Sequence, residues 1–416
     1  MDKFKIKGGN KLAGKVIVSG SKNAALPIMA ATILAKGKTV LKNIPHLNDI
    51  KMMAHLLRII GARVNFIKNT MEIDTTHCSF YEAPYELVSK MRASVYVLGP
   101  LLARFGKAKV SFPGGCAIGT RPVDMHLQAM ESLGANIEIE HGYILADTKK
   151  LKGNRIDFRK VSVGATANTI MAAVLAEGTT EIMNAAQEPE IDSLINFLNR
   201  MGAKIKRKGD RIEIDGVDKL QSIETEIVPD RIEAGTFLIA AAITKSEITL
   251  ENAKPDELDA LITKLEQTGC KCEINNKSIK LIPAQTLKPI AIVTKPYPGF
   301  PTDLQAQFTS LLCFADGVSH IKDTIFPDRF MHVAELNRLE AKINVEDGTA
   351  EIQGVEHLSG ANVMATDLRA SAALVLAGLA AKGETIVSRI YHIDRGYEKI
   401  EQKLQKLGAD IERIIG

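Results

Sequence analysis

The hydrophobic pattern predicts two kinds of helix along the chain. Residues 24–35, 165–176 and 368–381 are apolar at almost every position, and a helix that is apolar all round must be buried on all sides. Other segments carry a single apolar stripe and end in a small turn, as in LLRIIGARV and MESLGANI. The sequence therefore predicts interior helices alternating with amphipathic helices that cover a core with one face.

The amphipathic helix and its turn recur six times, with a period of about 70 residues. The turn positions are Gly61, Gly134, Gly202, Gly269, Glu340 and Gly408. A short β-type segment recurs in phase with them, as GKTVLKN, GKAKVSF, GTTEIMN, SEITLEN, GVSHIKD and GETIVSR. In each copy a loop with Pro or Asp, such as Pro189 or Asp328, is predicted to open the amphipathic helix. The chain is thus predicted to be one unit written six times.

Six wholly apolar helices are buried better in two closed groups of three than in an open solenoid. We therefore predict an α/β (α+β) fold with two domains, each with its apolar helices inside and its sheets outside. The midpoint of the repeats falls near residues 228–230. We predict an N-terminal domain of residues 22–229, and a C-terminal domain of residues 230–416 that residues 1–21 complete.

Composition narrows the functional classes. The net charge is +4, from 53 basic and 49 acidic side chains, which is too small an excess to predict a nucleic-acid or membrane partner. Apolar runs are too short to span a membrane, and the first residues have no signal-peptide core. The five cysteines form no CxxC pair, so we expect a cytoplasmic protein with neither disulfides nor a zinc site.

Charged and polar residues gather where the apolar helices begin. They include Lys22, Arg92, Lys160, Asp303 and Arg369. A cation at a helix N-terminus opposes the helix dipole, and an anionic ligand bound there would remove the conflict. The alternative is that each cation pairs with a nearby acid, as Arg369 would with Asp367. The recurrence at several helix starts favours an anion site.

Two further segments carry candidate chemistry. Residues 112–122 contain three glycines, Cys116 and Arg121. Cys116 is either a small buried side chain or a thiol made reactive by nearby cations. Asp303 precedes an apolar helix, where it either caps the helix or accepts a proton from a substrate hydroxyl. Arg395 lies at another predicted turn into a helix.

Several segments together resemble the UDP-N-acetylglucosamine 1-carboxyvinyltransferase family over the whole chain. They are Lys22-Asn23, PGGCAIGTRPVD, KVSVGAT, FPTDLQAQFT, RFMHV, ATDLRAS and YHIDRGYE. The resemblance implies a two-domain inside-out α/β barrel of six βαβαββ-type repeats, three per domain, with the active site in the interdomain cleft. It also implies transfer of the enolpyruvyl group of phosphoenolpyruvate to UDP-N-acetylglucosamine, the first committed step of peptidoglycan synthesis.

The resemblance assigns roles to particular residues. As catalytic residues it implies Cys116, Asp303, Lys22 and Arg395. For phosphoenolpyruvate it implies Lys22, Asn23, Arg121 and Arg395. For UDP-N-acetylglucosamine it implies Arg92, Arg121, Pro122, Val123, Asp124, Met125, Lys160, Val161, Ser162, Val163, Gly164, Asp303 and Ile325. It places Arg329, Asp367 and Arg369 at other positions of the cleft. It implies no metal, no organic cofactor and no obligate protein partner, and that the drug fosfomycin alkylates Cys116.

Two alternatives remain at this point. A shikimate-type enolpyruvyl transferase would share the fold and a similar start, but the cysteine-bearing loop and the RPVD segment disfavour it. A catalytically inactive regulatory paralogue would also keep the fold. The presence of Lys22, Cys116, Asp303 and Arg395 together disfavours that reading.

Overall fold

The computed structural model describes residues 2–88, 91–112 and 123–416. They divide into two compact units, one of residues 20–228 and one of residues 2–19 with 229–416. The α-helices are Lys22–Ala31, Asn48–Ile60, Tyr85–Val88, Leu98–Phe105, Asp124–Ser132, Val163–Ala173, Pro189–Arg200, Arg231–Ile243, Asp259–Gln267, Gln305–Leu312, His332–Arg338, Leu368–Ala380 and Ile400–Lys406. The 3-10 helices are Thr32–Leu34, Arg92–Val97, Pro255–Glu257, Thr302–Leu304 and Ile390–Arg395.

Three four-stranded sheets are present among the described residues of the unit 20–228. In spatial order their strands are Glu224–Glu226, Lys38–Lys42, Thr70–Asp74 and Arg63–Ile67; then Glu82–Ala83, Lys107–Ser111, Tyr143–Asp147 and Asn136–Glu140; then Arg155–Asp157, Thr179–Met183, Arg211–Asp215 and Lys204–Lys208. A small parallel pair, Ala35–Lys36 with Leu220–Gln221, accompanies them. Because the last strand of the unit, Glu224–Glu226, joins the first sheet, the end of this unit returns to its beginning.

The unit of residues 2–19 and 229–416 also contains three four-stranded sheets. In spatial order their strands are Ala13–Ile17, Glu247–Glu251, Ser278–Ile282 and Lys271–Asn275; then Ala291–Thr294, Val318–Asp323, Thr349–Gln353 and Lys342–Glu346; then Asn362–Met364, Glu384–Ser388, Lys3–Lys7 and Asp410–Ile414. Ile6 lies opposite both Thr385 and Ile411. The N-terminal strand therefore completes the last repeat, and the next strand joins the first sheet of this unit.

The six four-stranded sheets of the described residues share one connectivity, which confirms the sixfold repeat. In each sheet the outer strand is parallel to its neighbour, and the other two pairings are antiparallel. The apolar helices are buried as predicted: every residue of Arg231–Ile243 except the first is buried. This helix packs against Gln305–Leu312 and Leu368–Ala380 within its own unit. Burial of apolar surface stabilises a fold by about 25 cal/mol per Å², so these fully buried helices contribute to the stability of each core.

The repeat turns confirm one prediction, and the helix starts correct another. Gly61 ends its helix at a φ of 105°, in the left-handed region that favours glycine. Glu340 occupies the same turn at a φ of 70°. The amphipathic helices of the fifth and sixth repeats, however, begin only at His332 and Ile400. Asp394 does not open a helix because it lies inside a 3-10 turn, where its carboxylate binds Arg413 at 2.6 Å.

Candidate functional site

In the unit of residues 20–228, Lys22 begins the first interior helix. The Ser21 hydroxyl caps that helix by accepting a hydrogen bond from the backbone N–H of Ala24 at 3.3 Å. The Lys22 Nζ lies 3.3 Å from an Asp49 carboxylate oxygen, and the two side chains are 12% and 7% exposed. The alternative that a helix-start cation pairs with a nearby acid therefore holds for Lys22. Asn23 follows on the first turn of the same helix.

A second group in this unit joins the starts of two helices. Asp124 begins the helix Asp124–Ser132, and its carboxylate accepts a hydrogen bond from Arg159. Ser162 caps the helix Val163–Ala173 through the backbone N–H of Ala165. The predicted ligand residues beside them are Val123 and Met125, which are buried, Lys160, which is exposed, and Val161, Val163 and Gly164, which are partly exposed.

His126 lies in this group, and sequence reasoning missed it. The backbone N–H of Gly99 donates to the Asn168 side-chain oxygen at 2.8 Å, so the amide nitrogen of Asn168 faces the His126 Nδ1 at 3.1 Å. Asn168 therefore donates to Nδ1, and the ring proton lies on Nε2. Burial, assisted by the positive charge of Arg92, lowers the pKa of His126 to about 4. The ring is consequently a neutral hydrogen-bond donor.

Gly164 makes room for that ring at the first turn of its helix. A Cβ atom at Gly164 would lie 3.1 Å from both Cε1 and Nε2 of His126. A side chain at this position would press on the histidine. The glycine therefore permits His126 and the start of the helix Val163–Ala173 to lie together.

In the unit of residues 2–19 and 229–416, Asp303 is the centre of the predicted site. One of its oxygens accepts from Arg329 Nη1 at 2.8 Å, and the other accepts from Arg369 Nη2 at 2.8 Å. Both arginine side chains are 5% exposed, whereas Asp303 is 28% exposed. The structure therefore brings together three residues that lie up to 66 positions apart in sequence.

This geometry corrects two readings of the sequence. The carboxylate of Asp303 binds two guanidinium groups, so the helix-cap reading of Asp303 is wrong. Asp367 is the residue that caps: it accepts hydrogen bonds from the backbone N–H groups of Arg369 and Ala370 at 2.8 and 3.1 Å. The alternative that the Arg369 guanidinium pairs with Asp367 is also wrong, since that group binds Asp303.

The electrostatics of Asp303 follow from these contacts. Burial by itself raises the pKa of the carboxyl, but Arg369 and then Arg329 outweigh it and hold the pKa well below its usual range. Asp303 is therefore an anion fixed by two cations and open to solvent on one side. Such a carboxylate orients a hydroxyl well, and it accepts a proton only when that hydroxyl has become acidic.

Two other predicted positions lie in the same unit. Ile325 stands on a turn that Asp323 holds, because the Asp323 carboxylate accepts from the backbone N–H groups of Ile325 and Phe326 at 2.9 and 2.8 Å. Arg395 ends the 3-10 helix Ile390–Arg395, which packs against Leu368–Ala380. Burial lowers the pKa of the neighbouring His392, and the charge of Arg395 adds to this effect. Cys116, Arg121 and Pro122 lie outside the described residues.

A buried polar network behind Asp303 was also missed by the sequence reasoning. Its members are Thr236, Gln307 and Tyr397. Thr236 and Gln307 are polar residues inside wholly buried helices, and a buried polar side chain requires a partner. That was the signal in the sequence, although it did not reveal which partner each would find.

Comparisons with known proteins decide the family. The family model described as EPSP synthase (3-phosphoshikimate 1-carboxyvinyltransferase) matches residues 6–404. The chain belongs to this family. It is therefore an enzyme of the carboxyvinyltransferase type. Full-length relatives confirm the predicted family, and solved structures confirm the predicted fold class.

Individual family members are similar over their full length. UDP-N-acetylglucosamine 1-carboxyvinyltransferase of Chloroherpeton thalassium is 56% identical, over 99% of this chain and 97% of that protein. The Geobacter metallireducens protein of the same name is 55% identical over 100% of both chains. Among solved structures, the enolpyruvyl transferase NikO from Streptomyces tendae has a TM-score of 0.91 at 24% identity, covering 100% of this chain and 99% of its own.

The EPSP synthase of Acinetobacter baumannii shares the fold at lower similarity. Its TM-score is 0.79 at 20% identity, with 100% of both chains covered.

In the part of our chain that the structure describes, no helix is both long enough and apolar enough to cross a membrane. The same residues contain no group of three His, Cys, Asp or Glu side chains arranged to hold a metal ion.

Proposed function

We propose that this chain transfers the enolpyruvyl group of phosphoenolpyruvate to the 3-hydroxyl of UDP-N-acetylglucosamine and releases phosphate. The observation that carries the proposal is the similarity of the chain to relatives named UDP-N-acetylglucosamine 1-carboxyvinyltransferase, which are 51–56% identical over almost the whole chain. The enzyme would act in the cytoplasm, in the first committed step of peptidoglycan synthesis.

The reaction is an addition followed by an elimination. An acid protonates the methylene carbon of phosphoenolpyruvate, the sugar oxygen bonds to its C2, and a base takes the hydroxyl proton. The tetrahedral ketal then loses phosphate while a proton leaves the new methyl group, which restores the double bond. The protein must supply an acid, a proton acceptor and cations that offset the carboxylate and phosphate charges.

Asp303 fits the role of proton acceptor for the sugar hydroxyl. Its 28% exposure leaves one side available to a ligand, and the two arginines fix its direction. Because its pKa is depressed, it would take the proton late, once the forming C–O bond has made the hydroxyl acidic. Arg329 and Arg369 would act through this carboxylate.

The remaining roles come from family resemblance and the positions of the residues. Cys116 would act as the acid, and Lys22, Asn23, Arg121 and Arg395 would bind phosphoenolpyruvate. The segments around Asp124 and Lys160–Gly164 would bind the nucleotide sugar, joined by Arg92, Pro122, Val123, Met125 and Ile325. Two helix N-termini in these segments supply free backbone N–H groups for an anionic diphosphate.

A phosphate-release assay with two acceptors tests the proposal. Purified protein is given phosphoenolpyruvate with either UDP-N-acetylglucosamine or shikimate 3-phosphate, in buffer containing EDTA. We expect release with the nucleotide sugar only, and unaltered release in EDTA. Phosphate release with shikimate 3-phosphate alone would favour the shikimate-type enzyme. No phosphate release with either acceptor would favour an inactive paralogue.

Asp303→Asn provides the matched control in the same assay. The amide nearly keeps the shape of the carboxylate but cannot accept the proton, so turnover should fall severely while nucleotide-sugar binding survives in part. Calorimetric titration with UDP-N-acetylglucosamine measures that binding. Near-normal turnover in Asp303→Asn would remove Asp303 from the proposed chemistry.

A further inference from the structure

Tyr397 lies behind the candidate proton acceptor, and its hydroxyl is the meeting point of three interior helices. The side chain is 2% exposed. Its oxygen lies 2.8 Å from Thr236 Oγ1 on the helix Arg231–Ile243 and 3.1 Å from Gln307 Nε2 on Gln305–Leu312. It also lies 3.2 Å from Arg369 Nη1 on Leu368–Ala380. One phenol oxygen thus contacts one side chain from each helix.

The chemistry of the partners indicates the directions of these hydrogen bonds. Arg369 and Gln307 have only N–H groups to offer at these contacts, so both donate to Tyr397. The Thr236 hydroxyl already donates to the carbonyl of Ile232 at 2.8 Å. The Tyr397 O–H must therefore donate to Thr236. Gln307 Nε2 also lies 3.2 Å from Thr236 Oγ1, so its two N–H groups serve three acceptors, one of which is Tyr397. The phenol therefore has a hydrogen-bond partner on each of the three helices.

This arrangement reaches Asp303 by two routes. Arg369 contacts Tyr397 through Nη1 and the Asp303 carboxylate through Nη2 at 2.8 Å. Gln307 contacts Tyr397 and also donates to the backbone carbonyl of Asp303 at 3.0 Å. The phenol therefore supports both the side chain and the backbone of Asp303.

Tyr397 is itself anchored to a second predicted site segment. Its backbone N–H donates to the carbonyl of Ile393 at 3.0 Å, within the 3-10 turn that ends at Arg395. Arg395 is the predicted phosphoenolpyruvate ligand. The tyrosine thus connects the turn that carries Arg395 to the helix that carries Arg369.

We infer that Tyr397 is a positioning residue of the reaction: its hydroxyl holds the Arg369 guanidinium in the orientation that directs the Asp303 carboxylate toward the sugar hydroxyl. The inference rests on the proposed function for its chemical meaning. The geometric part of the inference, that the Arg369–Asp303 contact depends on the phenol, is independent of the proposed function.

Tyr397→Phe is the direct test, because it removes one oxygen and keeps the ring. Hydrogen bonds to charged groups are among the stronger ones in proteins, so kcat should fall at least about tenfold. The KM for UDP-N-acetylglucosamine should change less than about threefold, since an interaction made mainly in the transition state is lost. With Asp303 less firmly paired, the acidic limb of the kcat profile should move to higher pH.

Ser310→Ala is the matched control. Ser310 is a fully buried hydroxyl between two of the same helices, donating to the carbonyl of Ala373 at 2.9 Å. The Ser310→Ala variant should lose about as much folding stability as Tyr397→Phe, while its kcat and the pH profile of kcat stay unchanged. The inference would be overturned if Tyr397→Phe had the same kcat as the unsubstituted enzyme. It would also be overturned if kcat fell equally in Tyr397→Phe and Ser310→Ala.

A crystal structure of Tyr397→Phe separates this inference from the proposed function. We expect the Arg369 Nη2 to Asp303 contact to lengthen beyond hydrogen-bonding distance, or the guanidinium to turn away. Retention of that contact at its original length would refute the positioning role, whatever the protein catalyses. Absence of phosphate release by the unsubstituted protein would instead refute the proposed function.

Discussion

The Lys22 ammonium lies 3.3 Å from the carboxylate of Asp49, and both side chains are largely buried. Asp49 is on the first turn of the helix Asn48–Ile60, 27 positions from its partner. The predicted phosphoenolpyruvate ligand is thus directed by an acid from the next helix of its own repeat. A lysine free of such a contact would have many side-chain conformations to choose from.

Asp49→Asn should therefore weaken phosphoenolpyruvate binding. The loss of a hydrogen bond between charged groups predicts a KM for phosphoenolpyruvate raised about tenfold, with UDP-N-acetylglucosamine binding little changed. Steady-state kinetics with each substrate varied in turn measure both. Asp192→Asn is the control: its partner is Arg207 at 2.6 Å, but Asp192 is 54% exposed, and such surface pairs contribute little. An unchanged KM for phosphoenolpyruvate in Asp49→Asn would contradict the positioning role of Asp49.

The buried histidines predict a loss of stability in mild acid. Burial lowers the pKa of His332 to about 4, although the charge of Asp367 opposes the shift; the unfolded value is about 6.5. Between these values the unfolded chain binds a proton that the folded chain does not. The free energy of unfolding should therefore have its full contribution from the neutral histidine above about pH 6.5, and should fall as the pH decreases toward 4.

Urea unfolding at pH 7, 6 and 5 measures this dependence. His332→Gln should reduce the slope by up to about 1.4 kcal/mol per pH unit, because one group no longer titrates. His126→Gln should act similarly, since the pKa of His126 is also lowered to about 4. His141→Gln, at a side chain that is 88% exposed, should leave the slope unaltered. Parallel slopes for all four proteins would show that buried histidines do not govern the acid response.

The fifth repeat turn predicts a stabilising substitution. Glu340 adopts a φ of 70°, a conformation that costs a residue with a side chain about 1 kcal/mol relative to glycine. Glu340→Gly should raise the free energy of unfolding by about 0.5–1 kcal/mol and leave turnover unchanged. The loss of the exposed hydrogen bond that the Ser359 hydroxyl donates to Glu340 reduces this gain. Gly134→Ala is the converse change: an added Cβ would have no neighbour within 4 Å, so only its φ of 89° opposes it. Urea unfolding of both variants decides the matter, and a less stable Glu340→Gly would refute the backbone argument.

The cysteines should differ sharply in reactivity. Burial raises the pKa of both Cys272 and Cys313 to about 12, so little thiolate forms at neutral pH. We predict that fosfomycin forms an adduct on Cys116, faster with UDP-N-acetylglucosamine present, and that Cys116→Asp resists the drug while retaining activity. Peptide mass analysis after treatment locates the adduct. Modification of Cys313 instead, or an inactivated Cys116→Asp enzyme, would disprove the assignment.

The sequence determined the repeat and the nature of each element. Local rules suffice for these features: an apolar pattern on all faces marks an interior helix, and a glycine after a stripe marks its turn. The same rules were weaker at Asp328 and Asp394, where turns precede the helix. There the local preference of Asp and Pro did not fix the first helical residue, because longer-range contacts such as Asp394 with Arg413 compete for the side chain.

Tertiary structure alone decided which polar groups meet. Asp303 and Arg329 lie in the fifth repeat and Arg369 lies in the sixth, and nothing in their local sequence indicates that one carboxylate binds both arginines. Asp367 precedes Arg369 by two residues, yet it caps the backbone while the guanidinium turns to Asp303. Sequence periodicity specifies which face of a helix is buried, but the partner of a buried charge depends on how helices distant in the chain are packed together. That packing also gave Tyr397 its three contacts.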